Sequence, residues 1–325
     1  MHIDPNGEHD WAVLLAGGDG TRLRHLTRMI AGDLRPKQFC RLFGGESLLS
    51  QTRARLGPLF RAERTTFVVT GAHEAFYRED LRHTDASRVV VQPLNRGTGV
   101  AIATALLRIL QHDADAVAAF FPCDHYYADP EAFSRAVASA VRYARDFPDS
   151  VVLIGAEAEN PEVEYGWIEP GLPMRDAPDV PLFCVNRFWE KPTLAEARSL
   201  LRRRCLWNTF VTIGRAETFV ELLCSEFPDT VLRLAAAVAE GDLDAAYGDV
   251  PAVDFSREVL ALHPHRLLVV RDESSGWADL GTPDRLIETL ARNRVETDWL
   301  TRRTGVGLST DRLVTSSAAK ADMGT

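Results

Sequence analysis

Residues 14–23 read Leu-Leu-Ala-Gly-Gly-Asp-Gly-Thr-Arg-Leu and residues 35–39 read Arg-Pro-Lys-Gln-Phe, and these two runs decide how the rest of the chain is read. Ahead of them, Trp11 to Ala16 is an apolar run that suits a buried parallel strand stopping at Gly17-Gly18. Gly17, Gly18 and Gly20 lack a Cβ and reach φ > 0, so their amides can turn inward around anionic oxygens. Arg22 and Lys37 add two cations. A guanidinium grips phosphate bidentately and an ammonium acts as a movable point charge, so the pair suits a leaving pyrophosphate and a reacting phosphorus. Two other glycine-rich loops fail on identity. A dinucleotide fingerprint would place its third glycine at Leu23 and want an acidic residue about twenty positions on, where residues 34–45 read LRPKQFCRLFGG. A P-loop ends in Gly-Lys-Ser/Thr, whereas Gly20 is followed by Thr21-Arg22.

Working outward, β-rich runs at 65–70, 88–92, 116–121 and 151–156 alternate with helical spacing at 99–111 and 131–145. This βαβ alternation predicts an α/β fold with a Rossmann-like, mostly parallel central sheet flanked by helices and ligands at the carboxyl ends of its strands. Runs at 165–169, 182–188 and 207–213 read as short strands of mixed polarity, a smaller mixed β lobe on the substrate side. The expected organisation is a catalytic domain over 1–295, with a nucleotide half at about 10–157 and a substrate lobe at about 158–295. A tail at 296–325 ends in polar SSAAKADMGT and is expected to fray.

With 325 residues, 46% of them hydrophobic, the chain can bury a large core. Its net charge of −9 argues against a nucleic-acid or anionic-membrane surface. No apolar run reaches the length of a membrane span and the start MHIDPNGEHD is polar, so the expected location is the cytoplasm. Cys40, Cys123, Cys184, Cys205 and Cys224 are odd in number and scattered, which fits reduced thiols.

Two more constellations carry chemistry. Gln92-Pro93-Leu94-Asn95-Arg96-Gly97-Thr98 follows a predicted strand and opens a predicted helix. A helix start leaves N–H groups for a nucleotide, and the Gln92 amide can read a base edge through donor and acceptor together. In Phe120-Phe121-Pro122-Cys123-Asp124-His125, the apolar run ends in a carboxylate of the kind Mg²⁺ requires. A strand-end aspartate also serves as a helix cap, an alternative open for Asp124 and for Asp279. Neither Cys123 nor His125 has an evident role.

Residues 14–37 resemble the signature of the sugar nucleotidyltransferases, the nucleoside-diphosphate-sugar pyrophosphorylases, and most closely the mannose-1-phosphate guanylyltransferase branch. Further family motifs follow in order from about residue 11 to 290. The resemblance implies nucleotide contacts from Leu15, Ala16, Gly17, Gly18, Gly20 and Thr21, with Gln92, Gly97 and Thr98 facing the base. The guanylyltransferase branch usually carries Arg-Asn-Thr-Ala-Pro-Ala where this chain has Arg96-Gly97-Thr98-Gly99-Val100-Ala101, and a glycine at 97 is closer to the thymidylyl and uridylyl branches. Asp279, in Gly276-Trp277-Ala278-Asp279-Leu280-Gly281-Thr282, resembles the family's second metal-binding aspartate, so Asp124 and Asp279 are implied to hold Mg²⁺. Tyr165-Gly166-Trp167-Ile168-Glu169 resembles the segment whose glycine lies against the sugar. Glu190-Lys191-Pro192 matches the motif in which the glutamate binds sugar hydroxyls and the lysine the sugar phosphate, and Asn208 resembles a further hydroxyl contact. Trp167 and Trp207 read as core.

The implied reaction joins a nucleoside triphosphate, GTP favoured, to a sugar 1-phosphate, mannose 1-phosphate favoured, with Arg22, Lys37 and Asp124 carrying the catalysis. A glucose, heptose or cyclitol phosphate would satisfy the same contacts. The partners are small molecules, with neither nucleic acid nor membrane, and a homo-oligomer is compatible with the sequence. Two rivals belong to other classes. A non-catalytic nucleotide-sugar sensor would be expected to lose a phosphate or metal residue, and all four are present. A glycosyltransferase would carry Asp-x-Asp after a strand, whereas Asp113-Ala114-Asp115 precedes the apolar run.

Overall fold

The computed structural model describes residues 7–174 and 180–304. Its first half runs β1 (Asp10–Leu15), α1 (Arg24–Ala31), α2 (Leu48–Leu56), β2 (Thr65–Thr70), α3 (Glu74–Tyr77), β3 (Val89–Gln92), α4 (Gly97–Leu110), β4 (Val117–Pro122), β5 (His125–Tyr127), α5 (Pro130–Asp146) and β6 (Val151–Glu157). There follow β7 (Gly166–Pro173), β8 (Leu182–Glu190), α6 (Leu194–Arg202), β9 (Leu206–Arg215), α7 (Ala216–Glu226), α8 (Pro228–Glu240), α9 (Asp244–Asp249) and α10 (Phe255–Glu258). The described chain ends with β10 (Leu267–Asp272), β11 (Trp277–Asp279), α11 (Pro283–Arg292) and α12 (Asp298–Thr304).

One sheet has the order β3-β2-β1-β4-β9-β6-β10-β8-β7. β1 is parallel to β2 and β4, β2 to β3, and β6 to β10. β9 is antiparallel to both β4 and β6, and β8 to both β10 and β7. The sheet is therefore mixed, and the expected parallel arrangement is confined to β3-β2-β1-β4 and the β6-β10 pair. The strands expected to form a separate lobe belong to this same sheet, β9 at its centre and β8-β7 at one edge. The physical reason lies in β9, whose polar members Asn208, Thr209 and Thr212 are as buried as its apolar ones. Thr209 Oγ1 satisfies itself on the Ile154 carbonyl at 2.6 Å, so mixed polarity does not mark a solvated strand.

Alternation along β1 sends Trp11 and Val13 to one face and Ala12 and Leu14 to the other. The first face packs against α4, α7 and α8 through Ile102, Leu106, Phe219 and Leu234. The second packs against α2 and α5 through Leu49, Phe133 and Val137. A third apolar cluster joins α1 to α11 through Leu23, Leu26, Leu286 and Leu290. β5 and β11 form a two-stranded antiparallel ribbon that sets Asp279 opposite His125, one residue from Asp124. In the expected tail, α12 forms, with Trp299 Nε1 donating to the Leu42 carbonyl at 2.9 Å. Residues 305–325, where fraying was expected, lie outside the described residues. No helix of the described residues is long and apolar enough to cross a membrane.

Candidate active site

Beyond the carboxyl ends of β1, β4 and β3 lies a cleft of about 590 Å³. Leu15, Gly17, Gly18 and Arg22 line it, as do Gln92, Gly97, Thr98, Asp124, Gly166, Glu190, Asn208 and Asp279. Ala16, Gly20, Thr21, Lys37 and Lys191 are not among the residues that line it.

The signature loop is held by its carbonyls. Gln38 Nε2 donates to the carbonyls of Ala16 at 2.9 Å and Gly18 at 2.7 Å, and Thr70 Oγ1 donates to Gly17 at 2.9 Å. Gly17 has no room for a side chain, since a Cβ would lie 2.5 Å from Gln92 Nε2. Gly20 has φ +57°, and a Cβ there would lie 3.1 Å from the Lys37 amide. This close approach brings the 3₁₀ turn Lys37–Phe39 against the loop, buries Lys37 and explains why two separated motifs act as one. Gln38, which no sequence argument had singled out, is the brace between them. Ala16 is buried beside the loop and Thr21 is exposed at its far end. Arg22 is on the rim of the cleft, its side chain half exposed and paired with Glu164 at 3.1 Å, instead of inside the cradle with Lys37. An exposed pair of this kind contributes about 0–1 kcal/mol, so Arg22 can exchange Glu164 for a phosphate at little cost.

On the base side, Gln92 is buried and its Oε1 accepts from the Tyr247 hydroxyl at 3.4 Å, leaving Nε2 beside Gly17. The helix start is less available than expected. The Gly97 amide donates to Asn95 Oδ1 at 3.1 Å and the Gly99 amide to the Val253 carbonyl at 2.8 Å, so one local and one tertiary contact already occupy two of the N–H groups at the helix start.

The ribbon of β5 and β11 assembles the charged centre. Lys37 Nζ lies 3.2 Å from Asp124 Oδ2 and 3.7 Å from Asp279 Oδ1. Neither aspartate caps a helix: Asp124 leads into β5, and Thr282 Oγ1 caps α11 by accepting from the Arg285 amide. Burial raises the Asp124 carboxyl, but the charges of Lys37 and then His125 outweigh it and hold the group below its ordinary value. Asp279 Oδ1 is buried without a hydrogen-bond partner. From the other side Arg285 reaches Asp279 Oδ2 at 3.8 Å while pairing with Glu162 at 2.5 Å. His125 acquires a place as well. Trp277 Nε1 donates to its Nδ1 at 3.1 Å, which puts the ring proton on Nε2, 3.7 Å from Asp124. Among the described residues no three His, Cys, Asp or Glu side chains converge as a metal cluster. Two carboxylates, one with an oxygen that accepts no hydrogen bond, are instead the partial set that Mg²⁺ completes with phosphate and water oxygens.

At the other end, β-sheet register brings together three residues distant in sequence. Gly166 pairs with Glu190, and Trp167 beside it pairs with Trp207 beside Asn208. A Cβ on Gly166 would lie 2.9 Å from Glu190 Oε2 and 3.2 Å from Asn208 Cβ, so only glycine leaves this corner open. Burial, then the Asp254 charge, push the Glu190 carboxyl up to about 7 against the pull of Lys191 and Arg257. Lys191 is exposed, with φ +48°, and its amide donates to the Tyr165 carbonyl at 3.2 Å. Trp167 and Trp207 are core, as expected. Asp254, Arg257 and Glu258 line the cleft although no sequence signal marked them. Asp113 is far from it, at the amino ends of β1 and β4, buried and saturated by Trp11 at 2.7 Å, His9 at 2.7 Å and Arg64 at 2.6 Å. The Asp-x-Asp match is therefore a structural staple.

A glycine loop at a strand end, two aspartates bridged by a buried lysine, and a corner of Gly166, Glu190 and Asn208 meet around one cleft of an α/β protein. The model of the nucleotidyl transferase family matches residues 11–294, and the chain belongs to that family. It is 30% identical over 285 residues to a mannose-1-phosphate guanylyltransferase of Escherichia coli, covering 85% of this chain and 59% of the relative. It is 31% identical to mannose-1-phosphate guanylyltransferase ManC of Salmonella typhimurium, covering 86% of this chain and 59% of that one. The chain thus spans about three fifths of the length of these curated relatives. Among solved structures, a protein of Thermus thermophilus described as a mannose-1-phosphate geranyltransferase superposes with a TM-score of 0.76 at 30% identity, over 89% of this chain and 80% of that one.

Proposed function

We propose that this chain transfers a nucleoside monophosphate from a nucleoside triphosphate, GTP in preference, to a sugar 1-phosphate, mannose 1-phosphate in preference, giving a nucleotide sugar and pyrophosphate. The observation that carries the proposal is the Lys37 ion pair with Asp124 and Asp279, two aspartates that line the same cleft as Gly166, Glu190 and Asn208. The names of the relatives favour GTP and mannose 1-phosphate. The triphosphate takes the half at about 10–157, and the acceptor the half at about 158–295. Such substrates favour a cytoplasmic location.

An oxygen of the sugar 1-phosphate attacks the α-phosphorus in line and pyrophosphate leaves. The attacking group is already an anion at neutral pH, so neither a protein nucleophile nor a strong base is required. Holding both substrates in line supplies roughly 7–11 kcal/mol. Lys37 supplies a desolvated cation to the phosphate oxygens, and Arg22 leaves Glu164 for the β and γ phosphates. Glu190 and Asn208 accept and donate to the acceptor's hydroxyls, and Lys191 meets its phosphate. Mg²⁺ held by Asp124 and Asp279 would neutralise charge on the α-phosphate. An Asp279 oxygen that accepts no hydrogen bond, and two carboxylates sharing a single lysine counterion, are what fit a dication there.

The test is pyrophosphate release with Mg²⁺, crossing the four nucleoside triphosphates against hexose, heptose and cyclitol 1-phosphates. Release with GTP and mannose 1-phosphate is expected, and release with another pair would reassign the substrates. No release from any pair, with a nucleotide sugar still bound, would make the protein a regulatory sensor.

A further inference from the structure

Residues 252–258 join the two ends of the cleft. The Val253 amide donates to the Arg96 carbonyl at 3.0 Å and its carbonyl accepts from the Gly99 amide at 2.8 Å. Two residues on, the Phe255 amide donates to Thr98 Oγ1 at 3.0 Å. The clasp exists because 97 and 99 are glycines: a Cβ on Gly97 would lie 2.4 Å from the Val253 oxygen, and one on Gly99 would lie 2.5 Å from Val253 Cγ1. Asp254, between the two clasped residues, is fixed by the base-side loop from both directions. One of its oxygens caps α10 by accepting from the Arg257 amide at 3.1 Å, and its own amide donates to Glu258 Oε2 at 2.6 Å. Asp254 lines the cleft together with Glu190. The charged groups acting on Glu190 are Asp254 and Arg257 from this segment and Lys191 beside it, while β7 and β9 present the uncharged Gly166 and Asn208.

We propose that Asp254 is a specificity-determining residue for the acceptor, its carboxylate sharing the sugar hydroxyls with Glu190 from a position set by the base-side loop. This rests on the reaction proposed above. Asp254 and Glu190 line the same cleft, so their carboxyl groups can engage different hydroxyls of one acceptor ring. An acceptor with its ring hydroxyls intact satisfies both groups, whereas a deoxy acceptor would leave one half-buried carboxyl without a partner and bind less tightly.

The experiment compares wild type with D254N, which is nearly isosteric, and D254S, which keeps an oxygen for the cap. With GTP and mannose 1-phosphate the expected result is a rise of about tenfold or more in KM for the sugar phosphate in both variants, with KM for GTP unchanged. The pH midpoint of acceptor binding should move down in D254N, because Glu190 loses the neighbour that lifts it. Calorimetric titration with GDP-mannose reads the same contact without turnover and should weaken by a similar factor. Unchanged acceptor KM and GDP-mannose affinity would overturn the proposal, as would an equal rise in both KM values, which would make the segment a brace alone. Wild type that binds GDP-mannose without releasing pyrophosphate would remove the reaction, and the calorimetric comparison would still decide for or against Asp254. Wild type that does neither would overturn both.

Discussion

Lys37 stands beside the two aspartates with little of its side chain exposed because Gly20 lets its turn approach the loop. K37A should lower turnover by about a hundredfold or more with an unchanged far-UV spectrum, in line with the loss of one preorganised charge. Near-normal turnover in a folded K37A protein would take Lys37 out of the chemistry. D124N should raise the Mg²⁺ concentration for half-maximal rate, and an identical magnesium titration would count against Asp124 as a ligand. Glu190 gives a pH prediction with a definite sign. Its folded pKa of about 7 exceeds the ordinary 4.5, so the folded state holds the proton more tightly. Stability contributed by this group is complete at low pH and is lost as pH rises through about 7. E190Q should therefore gain melting temperature relative to wild type at pH 8 but not at pH 5, and a constant difference across that range would refute the shift. At this scale the sequence was most informative, since glycines, cations and carboxylates have narrow uses. Gln38, Asp254 and Arg285 were not legible because glutamine, aspartate and arginine are common surface residues until a partner is found for them.

At the scale of elements, the start of α4 shows tertiary contact overriding local expectation. Its glycines were expected to bare the backbone to a nucleotide, and they also admit the Val253 segment to that backbone. G97A combines φ +79° with a Cβ 2.4 Å from a carbonyl oxygen, so it should destabilise the protein by about 1–3 kcal/mol. Urea unfolding would register this as a lower midpoint at constant slope, and an unchanged midpoint would mean that the loop relaxes freely. The expected strands at 65–70, 88–92, 116–121 and 151–156 appear as β2, β3, β4 and β6, because continuous apolar runs between turns have few alternatives. β9 was legible as a strand but not as a central antiparallel one, because alternation along a chain does not reveal direction or neighbours.

On the scale of the whole molecule, the third apolar cluster ties the signature helix α1 to α11, and Val295, Trp299 and Leu300 pack against it from the expected tail. W299A removes an indole and its hydrogen bond to Leu42, and should cost about 1–3 kcal/mol in urea unfolding. An unchanged stability would mean that α12 is dispensable to the core. The glycine loop with Arg22 and Lys37 near it, the strand-end Asp124 and the α/β alternation were legible in the sequence alone, because each depends on residue chemistry and short spacing, whereas Asp279 was implied only by resemblance. Tertiary structure decided that Asp124 and Asp279 meet across the β5-β11 ribbon, that Gly166, Glu190 and Asn208 share one corner, and that residues 252–258 span both ends of the cleft. Those three facts depend on strand order and register, which arise from how the whole chain buries its apolar faces and cannot be read from any one segment.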